Sequence, residues 1–316
     1  IVRKMKFSVI IMTRNRCEDL KFTVQRFLDQ TWPNKELIVI DNASEDSTPQ
    51  MMKETYPDVR YVRLPDNIDV KAFNLGVALT DGDLLWRTDD DSYPQHKDMM
   101  SEIIGILDRN SDIDIIAMTE CQVKRNYSLV NWYGGDIDFT RSPEGGLVSN
   151  TFFGGGAIIK RKVFDTIGGF WDFGFEELDL STRAIINGFQ IRYFPHLIFE
   201  HNASFGNRMT GWRWKQLSRQ YIRYQAKYFS GFRGLGRVFQ VFIYQMMIGI
   251  ISFLPIKIII EGALAMLYMA VYARNNERTP IPKHLLQQIT LNKSLFKSQM
   301  TYFKNVIISR LNKKKR

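Results

Sequence analysis

Between residues 7 and 119, five short apolar runs alternate with four amphipathic stretches, and this alternation constrains the fold more than any other feature of the chain. The runs, read as strands, are 7–12, 36–41, 60–64, 83–88 and 114–119. The stretches 18–30, 47–56, 70–79 and 95–108 repeat apolar side chains three and four apart, the pattern of a helix with one buried face. Such alternation gives βαβ units and a Rossmann-like α/β architecture, a mostly parallel sheet flanked by helices and wound in the right-handed sense. Ligands of such sheets bind beyond the carboxyl ends of the strands. Those ends are polar here: Thr13-Arg14-Asn15-Arg16 follows the first run, Asp41-Asn42-Ala43-Ser44 the second, and Asp89-Asp90-Asp91 the fourth. From about residue 120 the pattern loosens into glycine pairs and a triplet (Gly134-Gly135, Gly145-Gly146, Gly154-Gly155-Gly156), and a helical segment returns over 176–188.

The 316 residues divide by charge. Residues 1–202 hold 23 Lys and Arg against 31 Asp and Glu, whereas 203–316 hold 20 against only Glu261 and Glu277. With 45% hydrophobic and 24% charged residues, the composition excludes a disordered chain, a collagen and a small disulfide scaffold. Cys17 and Cys121 stand more than a hundred residues apart with no CxxC, so they read as reduced thiols in a cytosolic chain and argue against zinc. The start, Ile1 to Met12, has basic residues before a short apolar run. It lacks a small-residue cleavage site, and Thr13-Arg14-Asn15-Arg16 interrupts it, so a buried strand is expected rather than a signal peptide. The first residue is not Met, which fits a start that is missing or processed.

The basic half is also the aromatic and apolar half, which places an anionic membrane surface ahead of nucleic acid as its partner. Two domains are expected: 1–202, which binds and reacts, and a helical, membrane-associating 203–316. Segment 238–256 carries no charge and 258–273 only Glu261. Nineteen residues can just cross a hydrocarbon core. Gln240, Gln245, Ser252 and Pro255 dilute the first segment, however, and the second is short. A shallow or re-entrant hairpin turning near Lys257 and Glu261, true spans, and buried soluble helices all remain open. Before these segments, Trp214, Leu217, Tyr221, Tyr224 and Tyr228 share one helical face, beside a stripe of Lys215, Arg219, Arg223 and Lys227. Either the aromatic face packs and the stripe is solvated, or the stripe contacts phosphates or headgroups.

Three constellations carry chemistry. The first is Asp89-Asp90-Asp91, whose crowded carboxylates repel one another unless a cation compensates. From a turn, Asp89 and Asp91 can face one Mg2+ or Mn2+, hard cations that take oxygen ligands and share them with substrate phosphates. Asp runs are also common in solvated loops, but the strand-end position, with Asp41 at another strand end, favours the metal. The second is Phe175-Glu176-Glu177-Leu178-Asp179-Leu180. Acids at a helix start complement its dipole, and among aromatic neighbours a desolvated carboxylate is also a better base. The third is His201. A lone histidine after a strand is most often a packed or surface residue, though imidazole can complete a carboxylate–histidine site for Mn2+.

Taken in order over about 7–202, these residues resemble the family 2 glycosyltransferases of GT-A fold. Ser8 to Arg16 looks like the family's first strand and nucleotide loop, and Glu36 to Thr48 is similar to its second strand and acidic turn. Asn67, Asn74 and Gly76 resemble its donor signature, Asp89-Asp90-Asp91 its DxD element, and Gly168-Gly169-Phe170 through Glu176-Glu177 and His201 its downstream pattern. The resemblance implies that Asp41 contacts the base or ribose of a nucleotide-sugar and that Thr13, Asn15 and Arg16 line its pocket. Asn42, Ser44, Asn67, Asn74 and Asp90 are further donor-side residues. Asp89 faces the ribose or sugar side and, with Asp91 and His201, the metal, Mn2+ or Mg2+. Glu177 is the general base, with Glu176 the alternative, and Gly155 and Trp171 border the acceptor.

The chain departs from the pattern at three places. Glu177 stands where the family usually has Asp, Asp69 stands where it usually has Gly, and Arg87 is unexpected just before the acidic run, where it can reach the diphosphate or pair with an Asp. The activity implied is inverting, metal-dependent transfer of a sugar to a hydroxyl of a lipid-linked or glycan acceptor at the cytoplasmic face of a membrane. A nucleotidyltransferase on sugar phosphates is disfavoured because no G-x-G phosphate loop follows the first strand. A non-catalytic scaffold is disfavoured because crowded carboxylates need a ligand.

Overall fold

The computed structural model describes residues 5–125, 127–130, 137–203 and 210–290. Residues 1–4, Gly134-Gly135 and the terminal Lys313-Lys314-Lys315-Arg316 of the sequence reading lie outside the described residues. Two compact units are present, one drawn from Ile1–Asp172 and Glu177–Phe205, the other from Phe173–Glu176 and Gly206–Arg316.

The first unit runs β1 (Phe7–Thr13), α1 (Cys17–Leu28), β2 (Lys35–Asp41), α2 (Thr48–Thr55), β3 (Arg60–Arg63), α3 (Lys71–Ala78), β4 (Leu84–Asp89), β5 (Ser92–Pro94), α4 (Met99–Arg109) and β6 (Ile113–Gln122). It continues through β7 (Ser128–Val130), β8 (Leu147–Val148), β9 (Ala157–Lys160), α5 (Arg161–Ile167), α6 (Glu176–Ile186) and β10 (Gln190–His201). The five strands and four helices expected from periodicity are all present. Helix α4 starts at Met99 rather than at 95, because Ser92–Pro94 joins the sheet as β5.

The order across the sheet is β3-β2-β1-β4-β9-β6-β10-β5. Strands β3, β2, β1 and β4 are mutually parallel. Beyond them the sheet is mixed, because β9 enters antiparallel between β4 and β6, and β5 runs antiparallel to the end of β10. All seven residues of β1 are buried, as expected for a central strand covered on both faces. The helices supply the cover. In α1, Leu20, Val24 and Phe27 recur every three or four residues and are fully buried, and Phe27 meets Trp86 of β4 edge-on at 5.1 Å between centroids. Cys17 and Cys121 are buried free thiols.

In the second unit the chain forms α7 (Gly211–Tyr228), α8 (Gly231–Ile251), α9 (Ile256–Asn276) and the short α10 (Leu286–Ile289). Thr210 caps α7, its hydroxyl accepting from the Arg213 amide at 3.1 Å. Helix α8 stops at Ile251 and Pro255 precedes α9, so the turn is 252–255. Segment 238–256 therefore runs across this turn, and Lys257 and Glu261 lie inside α9, not in the turn. Both helices are long and apolar enough to cross a membrane, and less than a third of the apolar stretch of each is buried. The aromatic face of α7 packs inward, with Trp214, Tyr224 and Tyr228 buried. The cationic stripe is only partly solvated: Lys215 pairs with Glu261, and Arg223 with Glu277, both at 2.7 Å.

Candidate active site

The parallel ladder sets the carboxyl ends of β1, β2 and β4 side by side, Thr13 opposite Asp41 and Met12 opposite Asp89. The loops leaving these ends are laced together. The Asn15 amide donates to the Ser44 hydroxyl at 2.9 Å, and the Glu45 amide to the Asn15 side-chain oxygen at 2.7 Å. Asp41 is fully buried, accepting from the Ser44 amide at 2.8 Å and from the Tyr61 hydroxyl. Burial, followed by that bond, pushes the Tyr61 phenol well above its usual range. Asn42 ties in the next loop, accepting from the Ile68 amide at 3.1 Å and donating to the Asp69 carbonyl at 3.3 Å. Asn67 accepts from the Asp69 amide at 2.9 Å.

Three residues of these loops, Asn15, Ala43 and Asp69, adopt left-handed backbone at φ of 53°, 60° and 50°. Asp69 thus holds, at some cost, the conformation that glycine adopts freely at the same place in the related pattern.

The acidic run splits into three roles. Asp90 is buried and turned back to β1, accepting from the Thr13 hydroxyl at 2.8 Å. Burial pushes its carboxyl up to about 8, against the pull of Arg16. Asp91 is brought to His201 by topology: β5 pairs with the end of β10, setting Ser92 opposite His201, and the Asn202 amide donates to the Asp91 carbonyl at 2.8 Å. The His201 Nε2 then lies 3.4 Å from Asp91 Oδ1, while its Nδ1 lies 2.6 Å from Glu120 Oε1. Burial lowers an imidazole's pKa, but the two carboxylates outweigh it and push His201 up to about 10. Asp89 is half-exposed and stands 3.9 Å from Arg87. Asp89, Asp91 and His201 are therefore not assembled as a cage, and no group of three acid, His or Cys side chains ready to hold a metal occurs among the described residues.

The crowded acids are instead compensated from within. Arg16 Nη1 stands 2.9 Å from Asp91 Oδ2 and its Nε 3.4 Å from Asp90, with Asp19 completing the set at 2.9 Å. An arginine and a histidine thus oppose the crowded carboxylates at this strand end.

Arg87, buried at the end of β4, pairs with Glu177 at 2.9 Å rather than principally with an aspartate. Glu177 is partly exposed, whereas Glu176 is buried and accepts from the Gly174 amide at 2.7 Å. Of the two, Glu177 is the one open to solvent. The glycine triplet sits against this pair: a Cβ at Gly154 would fall 1.6 Å from Arg87 Nη1, and one at Gly156 2.1 Å from the buried Phe199 ring. Gly155 passes its carbonyl to the Trp86 indole at 3.4 Å. Gly156→Ala is expected to lower stability by about 1–3 kcal/mol through overpacking, read as a fall in the urea midpoint at unchanged slope. Asn74 uses both ends of its amide on the Phe170 backbone, at 2.8 Å each, and so holds the loop before the half-buried Trp171.

Glu120, Asp19 and Tyr61 went unread in the sequence. Glu120 was findable by the rule that found Asp41 and Asp89, an acid at the end of an apolar strand, once β6 was followed past 119.

The fold is that of the GT-A glycosyltransferases. It matches the mannosyltransferase PcManGT from Pyrobaculum calidifontis, solved in complex with GDP-Man and Mn2+, with a TM-score of 0.58 and 18% identity over 99% of this chain and 87% of that one. It likewise matches S. aureus TarS 1-349, solved with UDP-GlcNAc, at a TM-score of 0.58 and 15% identity over 93% of each chain. The sequence model described as Glycosyl transferase family 2 matches residues 8–168, and the chain belongs to that family. A curated relative, the uncharacterized glycosyltransferase YwdF of Bacillus subtilis (strain 168), is 29% identical over 184 residues, which are 54% of this chain and 66% of YwdF. The chain thus spans just under two thirds of that relative's length.

Proposed function

We propose that this chain transfers a sugar from a nucleotide-sugar to a hydroxyl of a lipid-linked or glycan acceptor, with inversion, at the cytoplasmic face of a membrane. The observation that carries the reading is the meeting of Asp91 with His201, 3.4 Å apart, at the strand ends that also carry Asp41 and the Arg87–Glu177 pair. Asp41, with Thr13, Asn15, Asn42 and Ser44, shapes the wall that receives the nucleoside. Oxygens of Asp91 and Asp89 with a nitrogen of His201 suit Mn2+ or Mg2+, so the donor chemistry fits a divalent ion. When bound, such an ion offsets the charge that builds on the departing diphosphate. Arg16, which neutralises Asp91 here, is of the right charge to turn to that phosphate.

Glu177 accepts the acceptor's proton as the hydroxyl oxygen attacks the anomeric carbon, and Arg87, 2.9 Å away, holds the carboxylate in place. One displacement inverts the centre and needs no nucleophilic side chain. The basic, apolar second unit holds the enzyme close to an amphiphilic acceptor. A thermal-shift screen of nucleoside diphosphates with Mn2+ tests the donor reading. One base is expected to stabilise by about 2.7 kcal/mol at a hundred times its dissociation constant, and far less without the ion. A flat response across all bases contradicts it.

A further inference from the structure

We infer that the C-terminal helical unit lies flat on an anionic lipid surface, with α8 and α9 each sunk by one face and neither helix crossing the bilayer. This rests on the membrane reading above and concerns how the surface is engaged.

The two helices direct their buried residues at α7. Val241 of α8 and Ile259 and Met266 of α9 share a buried cluster with Trp214 and Ile222 of α7, and Gln245 and Gly249 of α8 and Gly262 of α9 meet the Trp214 indole. The indole fills the space that a Cβ at Gly249 or Gly262 would occupy, 2.9 and 2.1 Å from its ring, and donates to the Gln245 carbonyl at 3.1 Å. Ser218 donates to the Gln245 side chain at 3.0 Å. The opposite faces are apolar and open. Phe239 of α8 is 68% exposed and Leu264 of α9 63%, with Ile243 and Met247, and Ile260 and Leu267, continuing the rows, and Phe253 in the turn between them is 76% exposed. Spacings of three and four keep each row on one side of its helix from end to end. A continuous apolar face of this length marks an interaction surface.

Charge says what covers it. Glu261 and Glu277 are the only acids in 203–316, and Lys215 and Arg223 already hold both. Arg233 and Arg237 near the start of α8, Lys257 at the start of α9, and Arg274 and Arg278 at its end have no further acid in this segment to oppose them. An apolar face framed by cations alone complements an anionic headgroup layer over an acyl boundary.

The internal pairs decide the orientation. The Lys215–Glu261 and Arg223–Glu277 pairs lie sixteen residues apart on the α9 side, about 24 Å at 1.5 Å per residue, close to the thickness of a hydrocarbon core. The backbone beyond α9 is bonded to the end of α7 as well, the Thr279 and Ile281 amides donating to the Lys227 and Tyr228 carbonyls at 3.0 Å. A spanning α9 would carry α7, with Lys215, Arg219, Arg223 and Lys227, into hydrocarbon, where such charges are expensive. Lying flat leaves α7 on the water side and sinks only the open faces.

The test uses the full chain reconstituted into phosphatidylglycerol–phosphatidylcholine vesicles. Phe239→Cys, Phe253→Cys and Leu264→Cys, each carrying a fluorophore, are quenched by lipids brominated near the headgroup or deep in the acyl chain. The native thiols are buried. All three positions are expected to be quenched at least about twofold more by the shallow bromines. Phe239→Gln with Leu264→Gln is expected to weaken partitioning about tenfold per site without altering the circular dichroism. Deep quenching at 264, with position 253 reached by an impermeant reagent only from the far side, overturns the flat orientation while the membrane reading stands. Loss of flotation on anionic vesicles overturns the membrane reading itself. Flotation without quenching, accompanied by a doubled mass in solution, assigns the faces to a second copy and overturns the inference.

Discussion

Asp91→Asn is expected to lower Mn2+-dependent transfer by about a thousandfold. The reason is local. Asp91 Oδ1 faces His201 Nε2 and Oδ2 faces Arg16, so this carboxylate joins the imidazole to the guanidinium. The amide keeps the shape, and the backbone bond from Asn202 to the Asp91 carbonyl is untouched, but the charge that would hold a divalent ion is gone. Metal stabilisation of a leaving diphosphate amounts to several kcal/mol, and each 1.36 kcal/mol is tenfold in rate. Initial rates across a Mn2+ titration, with circular dichroism to verify the fold, measure the effect. A variant with near wild-type turnover, or wild-type turnover that survives full chelation, removes the metal from the account.

Glu177→Gln is expected to cut transfer by roughly a hundredfold to ten-thousandfold, the usual range for a general base, while leaving nucleotide and Mn2+ stabilisation in place. The glutamine oxygen can still accept from Arg87 Nη1, so the buried guanidinium keeps a hydrogen-bond partner. Glu176→Gln serves as the comparison. That side chain is buried on the Gly174 amide, so its change is expected to show mainly as lower thermal stability. Reversal of the two phenotypes would move the base to Glu176. The pairing with Arg87 also bears on the departure from the family pattern. A glutamate, one methylene longer than aspartate, meets an arginine on β4, and Gly154 leaves room for both.

The same contrast runs through the second unit. The three-and-four spacing on α7 assigns Trp214, Leu217, Tyr221, Tyr224 and Tyr228 to one face; Trp214, Tyr224 and Tyr228 are buried and the other two half-buried. The stripe beside it read as solvated or lipid-facing, yet Lys215 and Arg223 are held by glutamates 46 and 54 residues further along the chain. The turn between the two long helices falls at 252–255 rather than near Lys257 and Glu261 for a related reason. Absence of charge marks what can be buried in lipid or protein, whereas Pro255 marks where the helix must restart.

What the sequence determined by itself is the set of elements and their polarity: strands β1 to β4 and β6, the helices between them, and the acids at the ends of β2 and β4. Periodicity records which face of each element avoids water, and a parallel strand brings its own carboxyl end to the ligand side. Tertiary structure alone decided the partners, Glu120 for His201 across 81 residues and Glu177 for Arg87 across 90, as well as Arg16 for Asp91. It also decided the antiparallel insertion of β9. A repeating pattern says that a side chain faces inward. Which distant element stands opposite depends on how the whole sheet is ordered, and no local stretch of chain carries that information.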